Sequence, residues 1–589
     1  MCGYYDQLEK TTKRLELIDI LAALFKELDP DIIGRVVYLT QGKLYPDWTG
    51  QPAIGIAEKM AIGAIAIALG INEKQVLPVV HKLGDIGTAC EQLLSEKRQR
   101  SLSQSPLSVP QVYESLVKIA ASQGSGSADF KIRSLAGLLT VAIPIEARYI
   151  LRTVTGTLRL GIADMTVLDA LAGAFAGGKE HRPAVERAYN LTSDLGYIAY
   201  VVATAGLRGV ETLEVTLGKP IRMMAAQKLP TPKEIVEKLE GKCVAEWKLD
   251  GERMQIHKKD RDIEIFSRRL EQIATMYPDV VSLAQKHLTS ARCIVEGECV
   301  AVDPQNPNKL LPFQVLMRRR RKYRVEEMVE AIPTTLFLFD CLYVDGKDMT
   351  QQPYTARRAQ LEAIIKPGDH ARLVPATPAT TTEAMTNAFR EALANGCEGI
   401  IAKATGPDSL YRAGARSWVW VKLKESYQAQ AIGPVDLVVV GAFWGRGKRA
   451  KTYGALLAAV RDEETGQFKT ICKVGTGFSD QELEQLVPRF QSCVIPTKDP
   501  LVESKMKADV WVQPAIVLQV VGDEITRSPI HTCAYGQIAP GEGLAIRFPR
   551  FDGTWREDKS AEEATSVSEI VAAYRAQSKV DRSGKSSAD

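Results

Sequence analysis

The sequence predicts a multidomain protein in three parts: an all-α N-terminal domain, a mixed α/β domain and a C-terminal β-barrel. Three observations carry this. The 589 residues exceed what one hydrophobic core holds and predict about three or four domains. Apolar residues recur at helical spacing through residue 215, without sustained strand alternation. From Val244 onward, short alternating strands take over.

In chain order, helices are predicted over 54–69, 112–121, 134–141 and 166–176, with a Ser- and Pro-rich exposed loop at 101–110. Strands follow at 244–248, 253–257 and 263–268, the last two forming a hairpin across Lys259 to Asp262. Further strands are predicted at 293–302, 336–343, 399–404 and 418–424, with helices at 356–365 and 382–394 between them. Strands at 436–443, 455–461, 470–474 and 515–521 with one helix at 480–487 fit a small barrel. The polar residues 576–589 read as a disordered tail.

Hydrophobic residues make up 45% and charged residues 25% of the chain, which excludes fibrous and globally disordered classes. No run of eighteen apolar residues occurs, so no membrane span is expected. Met1 to Leu15 is charged and lacks an apolar core, so the expected location is the cytoplasm. The net charge of +4 neither demands nor excludes nucleic acid. Two basic runs stand out, Arg318 to Arg324 and Arg446 to Lys451; taken alone, each reads as a solvated face or loop. The ten cysteines contain no Cys-x-x-Cys pair and read as reduced and structural.

The chemistry concentrates at Glu246-Trp247-Lys248-Leu249-Asp250-Gly251-Glu252-Arg253. Alternation puts Glu246 and Lys248 on one strand face and Trp247 on the other, with Gly251 permitting a turn. A lysine ending a strand suits covalent catalysis when desolvation or a nearby cation such as Arg253 makes its amine nucleophilic. Spacing alone equally allows a salt-bridged surface lysine before a turn. Lys422 and Lys424 share strand parity, so both can face one anionic ligand.

Lys248-x-Asp-Gly-x-Arg253 is similar to the hallmark of the covalent nucleotidyltransferases, which comprise DNA ligases, RNA ligases and mRNA capping enzymes. Ser267-Arg268-Arg269, Glu296-Gly297-Glu298, Leu338 to Tyr343, Glu398 to Lys403, Trp420 to Lys424 and Arg556-Glu557-Asp558-Lys559 resemble the remaining motifs, in order. Gly124 to Ser127 and Leu158 to Asp164 resemble the helical DNA-binding domain of ATP-dependent DNA ligases, the archaeal type above all. A capping enzyme would not explain the long helical region, and an NAD-dependent ligase would carry a cysteine zinc cluster.

The resemblance implies a helical DNA-binding domain at 1–215, an ATP-grasp-like adenylation domain at 216–427, an OB-fold at 428–575 and a tail at 576–589. It implies nick sealing in duplex DNA with ATP as adenylyl donor and Mg2+, or Mn2+, as metal, in replication, repair and recombination. Lys248 would be the nucleophile; Glu246 would read the adenine edge and Phe339 stack on its face. Arg253, Arg268, Glu298, Arg416, Lys422 and Lys424 would contact ribose and phosphates, with Glu298 and Glu398 as metal carboxylates. Arg556 and Lys559, on a barrel that closes over ATP, would orient the pyrophosphate. A monomer is expected. The loop near Gln99 lacks the aromatic residues of a sliding-clamp motif, which leaves a clamp partner weakly supported.

Overall fold

The computed structural model describes residues 1–96, 106–158, 160–319, 325–424, 432–445, 449 and 452–580. The chain divides into two compact units, Met1–Lys424 and Glu425–Asp589. The clamp loop near Gln99, Arg159 and most of both basic runs lie outside the described residues.

The first unit opens with a helical region that runs to Leu195–Glu211. The predicted helices are present with shifted starts: Glu58–Leu69 begins later than expected, whereas Val109–Ala121, Ser127–Val141 and Asp164–Phe175 begin earlier. Ser108 caps Val109–Ala121 through a reciprocal bond set with Gln111, which moves the start of that helix into the predicted loop. Among the described residues no single helix is long and apolar enough to cross a membrane.

Two sheets follow. The first orders β1 (Ala225–Lys228), β12 (Arg416–Lys424), β11 (Gly399–Ala404), β2 (Cys243–Lys248) and β10 (Ala376–Pro378). The second centres on β3 (Glu252–Lys259), β4 (Asp262–Ser267), β5 (Arg292–Asp303) and β7 (Thr334–Val344). The predicted hairpin joins β3 to β4, with Asp260 in the left-handed region at φ 56°. One face of the first sheet is covered by helices Pro232–Lys238 and Thr382–Ala394, whose Ile235, Met385 and Phe389 are buried with Ile400 and Leu423. Its other face meets the second sheet, whose far side buries Met254, Val295 and Leu338 in a separate core.

Gly251 works differently from the expected turn glycine. Its φ is not positive; a Cβ there would lie 2.3 Å from the Cys299 carbonyl oxygen. It is glycine because β5 passes against it.

The second unit is a strand-rich domain. Strands β13 (Ile432–Trp444), β14 (Tyr453–Arg461) and β15 (Phe468–Val474) form an antiparallel run; β19 (Val517–Gly522) pairs with β13 and with β22 (Arg550–Trp555). Helix Asp480–Phe490 begins at a Ser479 capping box. Helix Val567–Val580 runs past Ala576, where a disordered tail was expected to begin; residues 581–589 lie outside the described residues. Ser560 and Ser566 each bond a glutamate three residues on, and buried Val567, Ile570 and Val571 hold that helix on the core.

Candidate active site

Strand register decides which side chains meet. Ile401 lies opposite both Glu246 on β2 and Lys422 on β12, and Gly399 opposite both Lys248 and Lys424. Residues directly opposite share a face, as do alternate residues along a strand. Glu246, Lys248, Lys403, Trp420, Lys422 and Lys424 therefore lie on one face of the first sheet. On the second sheet, Arg253 lies opposite Glu298 and Glu298 opposite Phe337. A bulge between Glu296 and Gly297 leaves Phe339 as the extra residue of β7. The two faces meet: Lys403 donates to the Phe339 carbonyl at 3.1 Å, and the Phe339 ring stands edge-on to Trp420.

Lys248 ends β2, and its ammonium donates to Glu398. Lys424 reaches the same Glu398 oxygen at 2.7 Å. Burial alone would raise the Glu398 carboxyl, but these two lysines outweigh it and hold it at about 2. Glu398 is placed by its backbone N–H, which donates to the Lys248 carbonyl at 2.9 Å. Burial pushes the Glu298 carboxyl up to about 7 against the pull of Lys248 and Arg253. Asp250, also raised by burial, accepts from the Phe313 N–H.

The Lys422 ammonium makes no hydrogen bond or ion pair among the described residues. Burial, then the charges of Lys424, Arg416, Lys248 and Arg268, pull its ammonium down to about 8. Four cations thus act on Lys422, and Glu398 pairs with two of them, Lys248 and Lys424, an arrangement that an anionic ligand would relieve.

Glu246 is buried and held by three donors. It accepts from Lys403 at 2.7 Å, Tyr354 at 2.5 Å and Arg358 at 3.4 Å. Arg253 bonds Glu296 at 2.9 Å and the Met224 carbonyl at 2.7 Å, so its guanidinium is tied into the domain between the rings of Phe339 and Trp420. Glu296 and Lys403 lie inside the motifs quoted from the sequence without an assigned role, and Tyr354 and Arg358 lie outside them. Lys403 reaches Glu246 through the register of β11 on β2, which the sequence alone does not show. Tyr354 and Arg358 approach through helix Tyr354–Ile364, which no local pattern ties to β2.

The metal carboxylates suit a hard cation by type, since magnesium takes one or two carboxylates and fills its shell with water and phosphate. The Glu298 carboxyl has no hydrogen-bond partner among the described residues, and that of Glu398 is held by Lys248 and Lys424. No three His, Cys, Asp or Glu side chains among the described residues converge into a ready cage.

In the second unit, Arg556 and Lys559 both grip Asp436 of β13, at 2.8 and 2.7 Å. Arg556 also makes a two-pronged contact with Asp558. Arg319, in the first basic run, is fully buried against Asp279 and is neither a solvated nor a binding residue. Arg449, in the second run, pairs with Asp480.

A strand-end lysine paired with a carboxylate, on one sheet face with Lys422 and Lys424, is an arrangement suited to an anionic ligand. Comparison with known proteins gives the family. Residues 1–172 match the DNA ligase N terminus, 223–424 the ATP dependent DNA ligase domain and 449–559 the ATP dependent DNA ligase C terminal region. DNA ligase 2 of Thermofilum pendens is 48% identical over 98% of this chain and 97% of its own. The DNA ligase of Hyperthermus butylicus is 46% identical over 97% and 96%. A solved structure called Pmar-Lig_Pre shares the fold at a TM-score of 0.54 and 16% identity, covering 94% of this chain and 99% of that one. The chain belongs to the ATP-dependent DNA ligase family.

Proposed function

We propose that this ligase seals nicks in duplex DNA through a covalent Lys248–AMP intermediate. The observation that carries the reading is one sheet face holding Lys248, Lys422 and Lys424, with Glu398 bridging the ammonium groups of Lys248 and Lys424. The Lys248 amine attacks the α-phosphorus of ATP; a nitrogen–phosphorus bond forms, the bond to the β-phosphate oxygen breaks, and pyrophosphate leaves with that electron pair. The amine proton passes to solvent. AMP moves to the 5′-phosphate at a nick, and the 3′-hydroxyl then displaces it.

Lys422 and Lys424 hold phosphate charge, Arg268 and Arg416 flank it, and Phe339 lies beside the base. Glu246, fixed by three donors, presents acceptor oxygens to an adenine amino group. Arg253 supports the site by anchoring Glu296. Glu298 and Glu398 would hold Mg2+, which supplies charge that offsets the phosphates. Residues 1–215 serve as DNA-binding domain, 216–427 as ATP-grasp-like adenylation domain and 428–575 as OB-fold, acting as a cytoplasmic monomer. Arg556 and Lys559 would orient the leaving pyrophosphate.

The test is sealing of a 5′-phosphorylated nick in duplex DNA with ATP. The wild type joins the strands and Lys248→Ala does not. Equal joining by the variant would remove Lys248 from the mechanism.

A further inference from the structure

The two cations of the closing motif are organised by a residue outside it. Asp436 sits on β13, more than a hundred residues before Arg556, and is buried. Its N–H donates to the Thr565 hydroxyl at 3.0 Å, its carbonyl accepts from the Thr565 N–H at 2.9 Å, and its Oδ1 accepts from Gln519 at 3.1 Å. Its Oδ2 accepts from both Arg556 and Lys559. Two like charges that close would repel; one shared carboxylate oxygen removes the repulsion and fixes them side by side.

The two carboxylates here differ. Asp558, the other partner of Arg556, has a side chain 64% exposed, whereas that of Asp436 is 10% exposed. Asp436 uses one N–H from each cation. A lysine has three and an arginine five, so both keep donors for a second anion. An incoming phosphate can displace exposed Asp558; Asp436 is locked in the strand and stays.

We propose that Asp436 is a positioning residue for nucleotide chemistry: it presets Arg556 and Lys559 as a rigid two-cation clamp for the pyrophosphate group. This rests on the reading that those two cations face the leaving pyrophosphate. The clamp serves both directions, helping pyrophosphate leave when Lys248 is adenylated and capturing it when the reaction reverses.

The test uses full-length wild type, Asp436→Asn, Asp436→Ala and Arg556→Ala. Three quantities are measured: the rate of protein–AMP formation against ATP, the pyrophosphate concentration that half-saturates reversal, and sealing of a pre-adenylated nick. Asp436→Asn keeps the shape and one acceptor but loses the charge. It is expected to slow protein–AMP formation about tenfold, as for loss of one charge-assisted contact, and to raise the pyrophosphate requirement similarly. Sealing of the pre-adenylated nick stays at the wild-type rate. Asp436→Ala shows the same pattern more strongly, and should it fail to fold, the Asn variant decides. Wild-type or faster adenylation by Asp436→Asn, with Arg556→Ala defective, would overturn the clamp. Wild-type adenylation by Arg556→Ala would instead overturn the underlying reading. An equal loss in pre-adenylated sealing would make Asp436 merely structural.

Discussion

Lys422 should make ATP use sensitive to alkaline pH. Its ammonium lies at about 8 instead of 10.5 because burial and the cations Lys424, Arg416, Lys248 and Arg268 disfavour its charge. Full relief by a triphosphate would be worth at most about 3 kcal/mol at 1.36 kcal/mol per tenfold change in proton affinity. The side chain is only half-buried, and solvent screening reduces this to about 1–2 kcal/mol, or about 5- to 30-fold in affinity. At pH 7 Lys422 is about nine-tenths charged, and at pH 9 about one-tenth. The apparent KM for ATP in protein–AMP formation should therefore rise above pH 8 by that factor. Unfolding through Lys422 would run the other way. Its folded value is below its unfolded one, so the unfolded chain binds the extra proton between about 8 and 10.5, and stability rises with pH in that window. Lys422→Arg should abolish the alkaline rise, because a guanidinium stays charged. Lys422→Met should show a raised KM already at pH 7 and no further rise. An unchanged alkaline rise in Lys422→Met would refute the assignment.

Two further substitutions test the base pocket and the strand packing. Lys403→Met leaves buried Glu246 without its closest cation, 2.7 Å away; breaking such a pair costs about 3–5 kcal/mol. A lower melting temperature for the first unit and weaker ATP binding are expected, and an unchanged melt would contradict the pairing. Gly251→Ala places a Cβ 2.3 Å from the Cys299 carbonyl and 3.0 Å from Cγ of Glu298. It should destabilise by about 2–4 kcal/mol and slow protein–AMP formation; wild-type behaviour in both assays would mean that β5 gives way.

Strand parity in the sequence places Glu246 with Lys248 and Lys422 with Lys424, and the register of β2, β11 and β12 puts all four on one face. What parity cannot supply is the partner across a sheet or from a helix. Tyr354 and Arg358 reach Glu246 from more than a hundred residues away, and Asp436 reaches Arg556 and Lys559 over a similar separation. Charge density also misleads: Arg319 sits in a run of arginines yet is buried on Asp279. Gly251 reads as a turn residue, whereas the neighbouring strand's carbonyl dictates it, a contact invisible along the chain.

The central claim is that Lys248 carries AMP. The direct measurement is incubation of the full-length protein with Mg2+ and ATP radiolabelled at the α-phosphate, followed by a denaturing gel, for wild type and Lys248→Ala. The account predicts a labelled protein band in the wild type alone, lost again when nicked DNA is added. A band of equal strength in Lys248→Ala would contradict it.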